Sequence, residues 1–107
     1  MAYAERGVSA PPEVVFNTAT DPDRISSWLP EPLLSNDPAQ EGEAEQLHAR
    51  WTARGADWSA DLRVEPVDAG GSRLRLEIGG GGEDVDRLAD EALDSLAREV
   101  ADNLQAG

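Results

Sequence analysis

The chain has one histidine, His48, and no cysteine. Thiol nucleophiles, disulfides and thiolate metal sites are therefore excluded. A lone imidazole cannot build a histidine-rich metal centre. A general base needs an orienting acid and a cleft; the alternation around His48 puts it on the polar side of a strand, beside Arg63, where neither is expected. Asp21 with Asp23, and Asp84 with Asp86, are carboxylate pairs, but both stand where helices begin and acids offset the helix dipole. Ser26 and Ser27 lack the Gly-x-Ser-x-Gly setting of an esterase nucleophile. Gly79 to Gly82 precede a helix, yet there is no lysine to meet a phosphate, and Glu83, Asp84 and Asp86 would repel one. These residues give no catalytic set, no metal ligands and no cofactor motif.

What remains is apolar. Trp51 and Trp58 fall on one face of a strand pair and could be the stacking walls of a pocket, with Phe16, Trp28, Leu62, Leu76, Leu93 and Leu96 around them. The plainer reading makes the same residues core, since three tryptophans are much of the bulk in a chain that is 5% aromatic. In either case each buried indole N–H needs a hydrogen-bond partner.

A long helix must position these residues. From Glu83 to Gln105, Val85, Leu88, Ala89, Ala92, Leu93, Leu96, Ala97, Val100, Ala101 and Leu104 recur at three- and four-residue steps. They form one apolar stripe that must lie on an apolar surface. The other face carries Asp86, Arg87, Asp90, Glu91, Asp94, Arg98, Glu99 and Asp102, with Asp94 and Arg98 placed as an i, i+4 pair. Alternating strands supply the surface. From Glu45, Leu47, Ala49, Trp51 and Ala53 point one way; after a turn at Gly55-Ala56, so do Trp58, Ala60, Leu62 and Val64. The predicted hairpin register sets Trp51 opposite Ala60, Trp58 opposite Ala53, Arg50 opposite Asp61, Thr52 opposite Ser59 and Arg54 opposite Asp57. A one-residue slip would destroy the size and charge matches together. Leu74, Leu76 and Ile78 form the next strand after a loop from Asp68 to Ser72. Charge selects a register that pairs Arg63 with Glu77 and Glu65 with Arg75, over one that pairs Arg63 with Arg75.

Upstream, Ala2 to Ser9 reads as a first strand and a helix starts at Pro11, with Val15, Phe16 and Ala19 inward. Asp21 caps a second short helix that Pro30 and Pro32 stop. Glu31 to Gly42 is the least regular stretch: Leu33-Leu34-Ser35 fits a brief strand, while Asn36-Asp37-Pro38 and Gln40-Glu41-Gly42 read as turns.

The chain of 107 residues fits one domain, residues 1–107, with a formal charge of −13 from 22 acids and 9 bases. All nine bases are arginine, which with the many alanines suggests GC-rich coding and a bacterial source. The negative field disfavours nucleic acid and anionic lipid. No apolar run approaches the roughly 20 residues of a membrane span, and Met1 to Ala10 has no signal-peptide h-region. The expectation is a soluble cytoplasmic protein.

A strand, two short helices, an antiparallel meander and a long last helix make an α+β fold. The run Val8-Ser9-Ala10-Pro11-Pro12-Glu13-Val14-Val15-Phe16, followed by Thr20-Asp21-Pro22-Asp23-Arg24-Ile25-Ser26-Ser27-Trp28, resembles the opening of the SRPBCC or START-like superfamily. Polyketide cyclase-like and birch-pollen-allergen-like proteins belong to that group. The resemblance implies a helix-grip fold: an antiparallel sheet curved around a long C-terminal helix, with an apolar ligand held between them and no cofactor. One short and three clear strands follow the paired helices here, where the family commonly has six, so a hairpin is missing. The resemblance thus implies a small binding module for an apolar or aromatic molecule or lipid. The alternative is a protein-interaction domain with a reduced or filled cavity, and a polyketide cyclase- or aromatase-like enzyme comes third. An unclosed sheet also leaves an edge that a second copy could cover as a homodimer.

Overall fold

The computed structural model describes residues 2–29, 34, 38–53, 57–80 and 85–106. The chain runs β1 (Ala2–Val8), α1 (Pro12–Thr20), α2 (Ile25–Trp28), β2 (Ala39–Glu43), β3 (His48–Thr52), β4 (Ser59–Pro66), β5 (Ser72–Gly79) and α3 (Val85–Ala106). The five strands form one antiparallel sheet in the order β1-β5-β4-β3-β2. This is the expected α+β arrangement, with a sheet on one side and helices on the other.

The helices follow from their residues. Pro11 and Pro12 open α1, where a missing N–H costs nothing. The Asp21 carboxylate accepts the Asp23 N–H at 2.9 Å, and its carbonyl accepts the N–H groups of Arg24 and Ile25. Asp21 was expected to cap α2 with Pro22 in its first turn; instead it closes α1, residues 22–24 form a turn held by these bonds, and α2 begins at Ile25 with Arg24 as its N-cap and no side-chain cap. On α3, Val85, Ala89, Ala92, Leu93, Leu96 and Val100 are buried, and Asp86, Asp90, Glu91, Asp94 and Asp102 are exposed. The stripe packs mainly on β1, β5, α1 and α2, while α1 lies over β4. Asp94 pairs with Arg6 of β1 rather than with Arg98, so the charged side of the helix is tied to the sheet across the seam.

Three further expectations need correction. First, Ala39–Glu43, where a turn at Gln40-Glu41-Gly42 was anticipated, is a strand. Its register on β3 sets Gln40 against Trp51 and Gly42 against Ala49, so β3 holds a segment with no apolar period of its own. Second, Leu47 is not in the strand. It sits at φ 52 in the turn Ala44–Leu47, closed by Leu47 N–H to Ala44 O at 3.2 Å. Its side chain still packs against the core, which is why it fits the strand period in the sequence.

Third, β4 and β5 take the register that charge matching rejects: Arg63 faces Arg75 and Asp61 faces Glu77. A third strand explains it. β1 sets Glu5 opposite Arg75, and Glu5 reaches Arg75 at 3.6 Å and Arg73 at 3.7 Å. Arg75 also reaches Glu65 diagonally at 2.8 Å, and Arg63 lies 4.0 Å from Asp61. The apolar face is equally well kept, with Leu62 on Leu76, Val64 on Leu74 and Ala60 on Ile78. The loop is Val67 to Gly71, closed by the Val67 N–H to Gly71 O bond at 3.1 Å. By contrast, the β3–β4 register is the expected one, with Trp51 on Ala60, Arg50 on Asp61 and Thr52 on Ser59. The Ala53 N–H donates to Trp58 O at 3.0 Å beyond it. The Gly55-Ala56 turn, the Arg54–Asp57 pair, Leu33, Ser35, Asn36-Asp37, Gly81-Gly82, Glu83-Asp84 and the Leu104 side chain lie outside the described residues.

Two substitutions test this packing. Leu96 has no exposed surface, so Leu96→Ala is expected to cost about 2–5 kcal/mol in urea unfolding; a loss below about 1 kcal/mol would contradict the seating of α3. Gly80 has φ +76, and a Cβ there would lie 1.7 Å from the Asp57 carbonyl oxygen. Gly80→Ala should destabilise by more than about 1 kcal/mol, whereas Gly7→Ala, with nothing within 4 Å of the added carbon, should stay within about 0.5 kcal/mol.

Candidate functional site

The inner face of the sheet converges on two crossed indoles. Trp51 projects from β3 and has no exposed surface; Trp28, the last residue of α2, is 2% exposed. Their ring centroids are 5.1 Å apart with planes at 78°, an edge-to-face contact that sets the positive rim of one ring on the negative face of the other. Both N–H groups are satisfied. Trp28 Nε1 donates to Ala19 O at 3.2 Å, and Trp51 Nε1 donates to Gln40 Oε1 at 2.9 Å. Gln40 in turn donates from Nε2 to Thr20 O at 3.2 Å. One amide side chain thus ties the edge strand, the central indole and the end of α1 together.

The other expected lining residues surround this pair. Leu62 and Leu76 face each other across β4 and β5. Leu93 and Leu96 come from α3, and Phe16 from α1. All five are buried. Gly42 leaves room beside Phe16, where an added Cβ would stand 3.7 Å from the ring carbon Cζ. Trp58 differs: it lies on the same sheet face as Trp51 but is only half-buried, at the hairpin end of the sheet. It was expected, with Trp51, to meet the long helix. Instead α3 lies over β1 and β5, and Trp28 of α2 meets Trp51.

Polar ties hold the helices over the indoles, and sequence reasoning missed them. Asn103 Nδ2 donates to Thr18 Oγ1 at 3.1 Å, and that buried hydroxyl donates to Val14 O at 2.8 Å. Arg24 of the α1–α2 turn reaches Asn103 Oδ1 at 3.4 Å and Glu99 at 3.8 Å. A polar residue breaking the stripe near its end was the available signal.

The outer face of the sheet is wholly different. His48 Nε2 is hydrogen-bonded to Asp61 Oδ1 at 2.7 Å, and Arg50 reaches Asp61 Oδ2 at 3.2 Å. His48 therefore does have the orienting acid that the sequence did not reveal. A depression of about 400 Å³ beside it is lined by Glu41, Gly42, Glu43, His48 and Arg50. Those residues supply no hydroxyl or thiol nucleophile, and among the described residues no group of three or more His, Cys, Asp or Glu could hold a metal ion. Further along, the Tyr3 hydroxyl donates to Glu5. That bond holds the Glu5 carboxyl below its ordinary range, with Arg75 and Arg73 adding to the effect, and it pushes the Tyr3 phenol up.

Neither a family model nor a curated protein sequence matches the chain. Solved structures do. TTHA0849 from Thermus thermophilus is similar over 95% of this chain and 97% of its own, at 16% identity and a TM-score of 0.72. CalU16 from Micromonospora echinospora is similar over 89% and 70%, at 22% identity and a TM-score of 0.61. The di-domain ARO/CYC StfQ from the steffimycin biosynthetic pathway is similar over 98% of this chain but 46% of its own, at 12% identity and a TM-score of 0.67. The fold is thus a helix grip, an antiparallel sheet packed on a long C-terminal helix, and a whole neighbour of about this length has the same one. Among the described residues, no helix is long and apolar enough to cross a membrane.

The Tyr3–Glu5 bond carries a sign that can be checked. Because it favours the charged carboxylate, Tyr3→Phe should raise the Glu5 pKa toward the ordinary value. The stability it contributes is present above the unfolded carboxyl pKa and is lost as pH falls through the folded one. Carboxyl NMR titration of both proteins measures the shift; coincident curves would show that the bond does not form in solution.

Proposed function

We propose that this chain is a small binding module that takes an apolar or aromatic molecule, such as a polyketide-like ring system or a lipid chain, between the sheet and the helix layer. The observation that carries the reading is Trp58. It continues the face of Trp51 outward from a closed core, and it is half-buried while Trp51 is wholly enclosed. Ile25, Leu47 and Leu88 are likewise partly exposed and packed against that core. A flat aromatic with its edge apolar suits such a lining. The helix-grip fold shared with two di-domain ARO/CYC proteins, StfQ and BexL, supports the same ligand class.

In this reading the ligand lies against Phe16, Trp28, Trp51, Trp58, Leu62, Leu76, Leu93 and Leu96. None of these eight side chains ionises, so they hold the ligand by apolar contact. A second reading has its own support: Trp51, Leu62, Leu76 and Leu96 are 0% exposed and fill the interior. A protein-interaction domain with the cavity filled would have that core.

Indole fluorescence separates the two. Titration with fatty acids and with fused-ring aromatic polyphenols is expected to shift and quench the emission saturably, and Trp58→Ala should weaken binding by about tenfold or more, as loss of an aromatic anchor does. A folded protein whose emission responds to none of these compounds would remove the binding-module reading and leave the filled core.

A further inference from the structure

The sheet ends in β2, and among the described residues no strand pairs with its far side. An edge strand presents a row of backbone N–H and C=O groups that another chain can join. Proteins blunt such edges with charged side chains, short strands, proline, bulges or inward-pointing charges. Ala39–Glu43 is short and carries the outward charges of Glu41 and Glu43, which repel an acidic or identical strand but not a basic one; it has no lysine, proline or bulge, its register on β3 is continuous, and its inner positions are Gln40 and Gly42.

Its charges are also left over. On the outer face of the other four strands, Glu5, Asp61, Glu65 and Glu77 are matched in number by Arg50, Arg63, Arg73 and Arg75. Glu41 and Glu43 of β2 stand outside that balance. They lie directly opposite Arg50 and His48, yet both of those side chains turn the other way, to Asp61 at 3.2 Å and 2.7 Å. Neither glutamate has an ion-pair partner among the described residues, and both are exposed beside the depression of about 400 Å³.

We propose that β2 is a docking edge for an extended basic segment of another protein, which adds to the sheet as a sixth strand. Glu41 and Glu43 are two residues apart on one face, about 6.8 Å along a strand. They fit two arginines or lysines with one residue between, and the intervening residue falls on the inner side, level with Gly42. Main-chain pairing supplies affinity in this mode and alternate side chains supply specificity. A second copy of this chain is a poor occupant. Antiparallel pairing of β2 with itself over its full length sets Glu41 against Glu41, and a shift by one pair position toward Glu43 sets Glu41 against Glu43 twice.

The test is amide NMR of the full chain titrated with a capped five-residue peptide alternating arginine and valine. Saturable shifts are expected at Ala39–Glu43 and His48–Thr52. The double variant Glu41→Arg, Glu43→Arg, both at exposed positions, should weaken binding at least about tenfold. Two further peptides of unchanged charge, N-methylated on one or the other alternate set of residues, should differ: one keeps its donors toward β2 and binds, and the other does not. Equal binding of both N-methylated peptides would reduce the interaction to charge alone and overturn the proposal. Shifts confined to the outer face of β4 and β5 would do the same. So would light scattering that shows the free chain dimerising with shifts at β2, which would make a second copy the occupant.

Discussion

One helix cannot cover this sheet. Five strands about 4.8 Å apart make a floor roughly 19 Å across, whereas a helix with its side chains is about 10–12 Å wide. α3 takes the half formed by β1 and β5, to which Arg6 and Asp94 tether it. The half toward β3 and β4 needs a second cover, and α1, which lies over β4, supplies it with α2. The turn held by Asp21 leads into α2 so that Trp28 comes down on Trp51, and the ties from Asn103 and Arg24 lock the two covers to each other. The roof is therefore made of two pieces joined by a polar seam.

That division bears on what the interior can hold. An interior of this size has to be filled by side chains or by a ligand, because empty apolar space loses dispersion contacts on every wall. Here the two indoles and the leucines facing them occupy the centre. An edge-to-face ring pair contributes about 0.5–1.5 kcal/mol beyond its buried area, an amount that a flat aromatic ligand could replace by stacking on the same rings. The binding module and the filled core are thus two occupancies of one apolar layer. The rim at Trp58, where the indole is still partly in water, is where they diverge.

The sequence was most legible where one local interaction decided the outcome. The α3 stripe, the Asp21 turn and the β3–β4 hairpin each followed from residues close in the chain. In that hairpin, large met small and Arg50 met Asp61 in a single register. The β4–β5 register failed because pairwise charge matching ignored a third strand: Glu5, some 70 positions away, neutralises Arg75 from the other side. β2 was illegible for a different reason. Ala-Gln-Glu-Gly-Glu has no apolar alternation, and its strand conformation is imposed by β3 and by the single amide of Gln40. Asp61 as the partner of His48 was hidden behind its direct pairing with Arg50, although a carboxylate has two oxygens and serves both.

The same carboxylate explains how the charges are distributed. Asp61 draws Arg50, His48 and, more loosely, Arg63 toward the middle of the sheet. With Glu5 and Glu65 drawing Arg73 and Arg75, the outer face of four strands becomes a lattice of four acids and four arginines, in which only Glu77 lacks an ion pair among the described residues. Such a lattice is nearly neutral at a distance, because opposite charges within a Debye length cancel. The net charge of −13 then resides elsewhere, in part on α3, where six acids stand against two arginines, and in part at the β2 edge. On α3 the acids are spread along a solvated helix, which is an ordinary use of charge. At β2 they adjoin main-chain groups that no strand among the described residues pairs, so attraction for a cation and an open edge coincide at one margin of the sheet. The charge there has a definite cause: a central carboxylate takes the cations that β2 would otherwise have used.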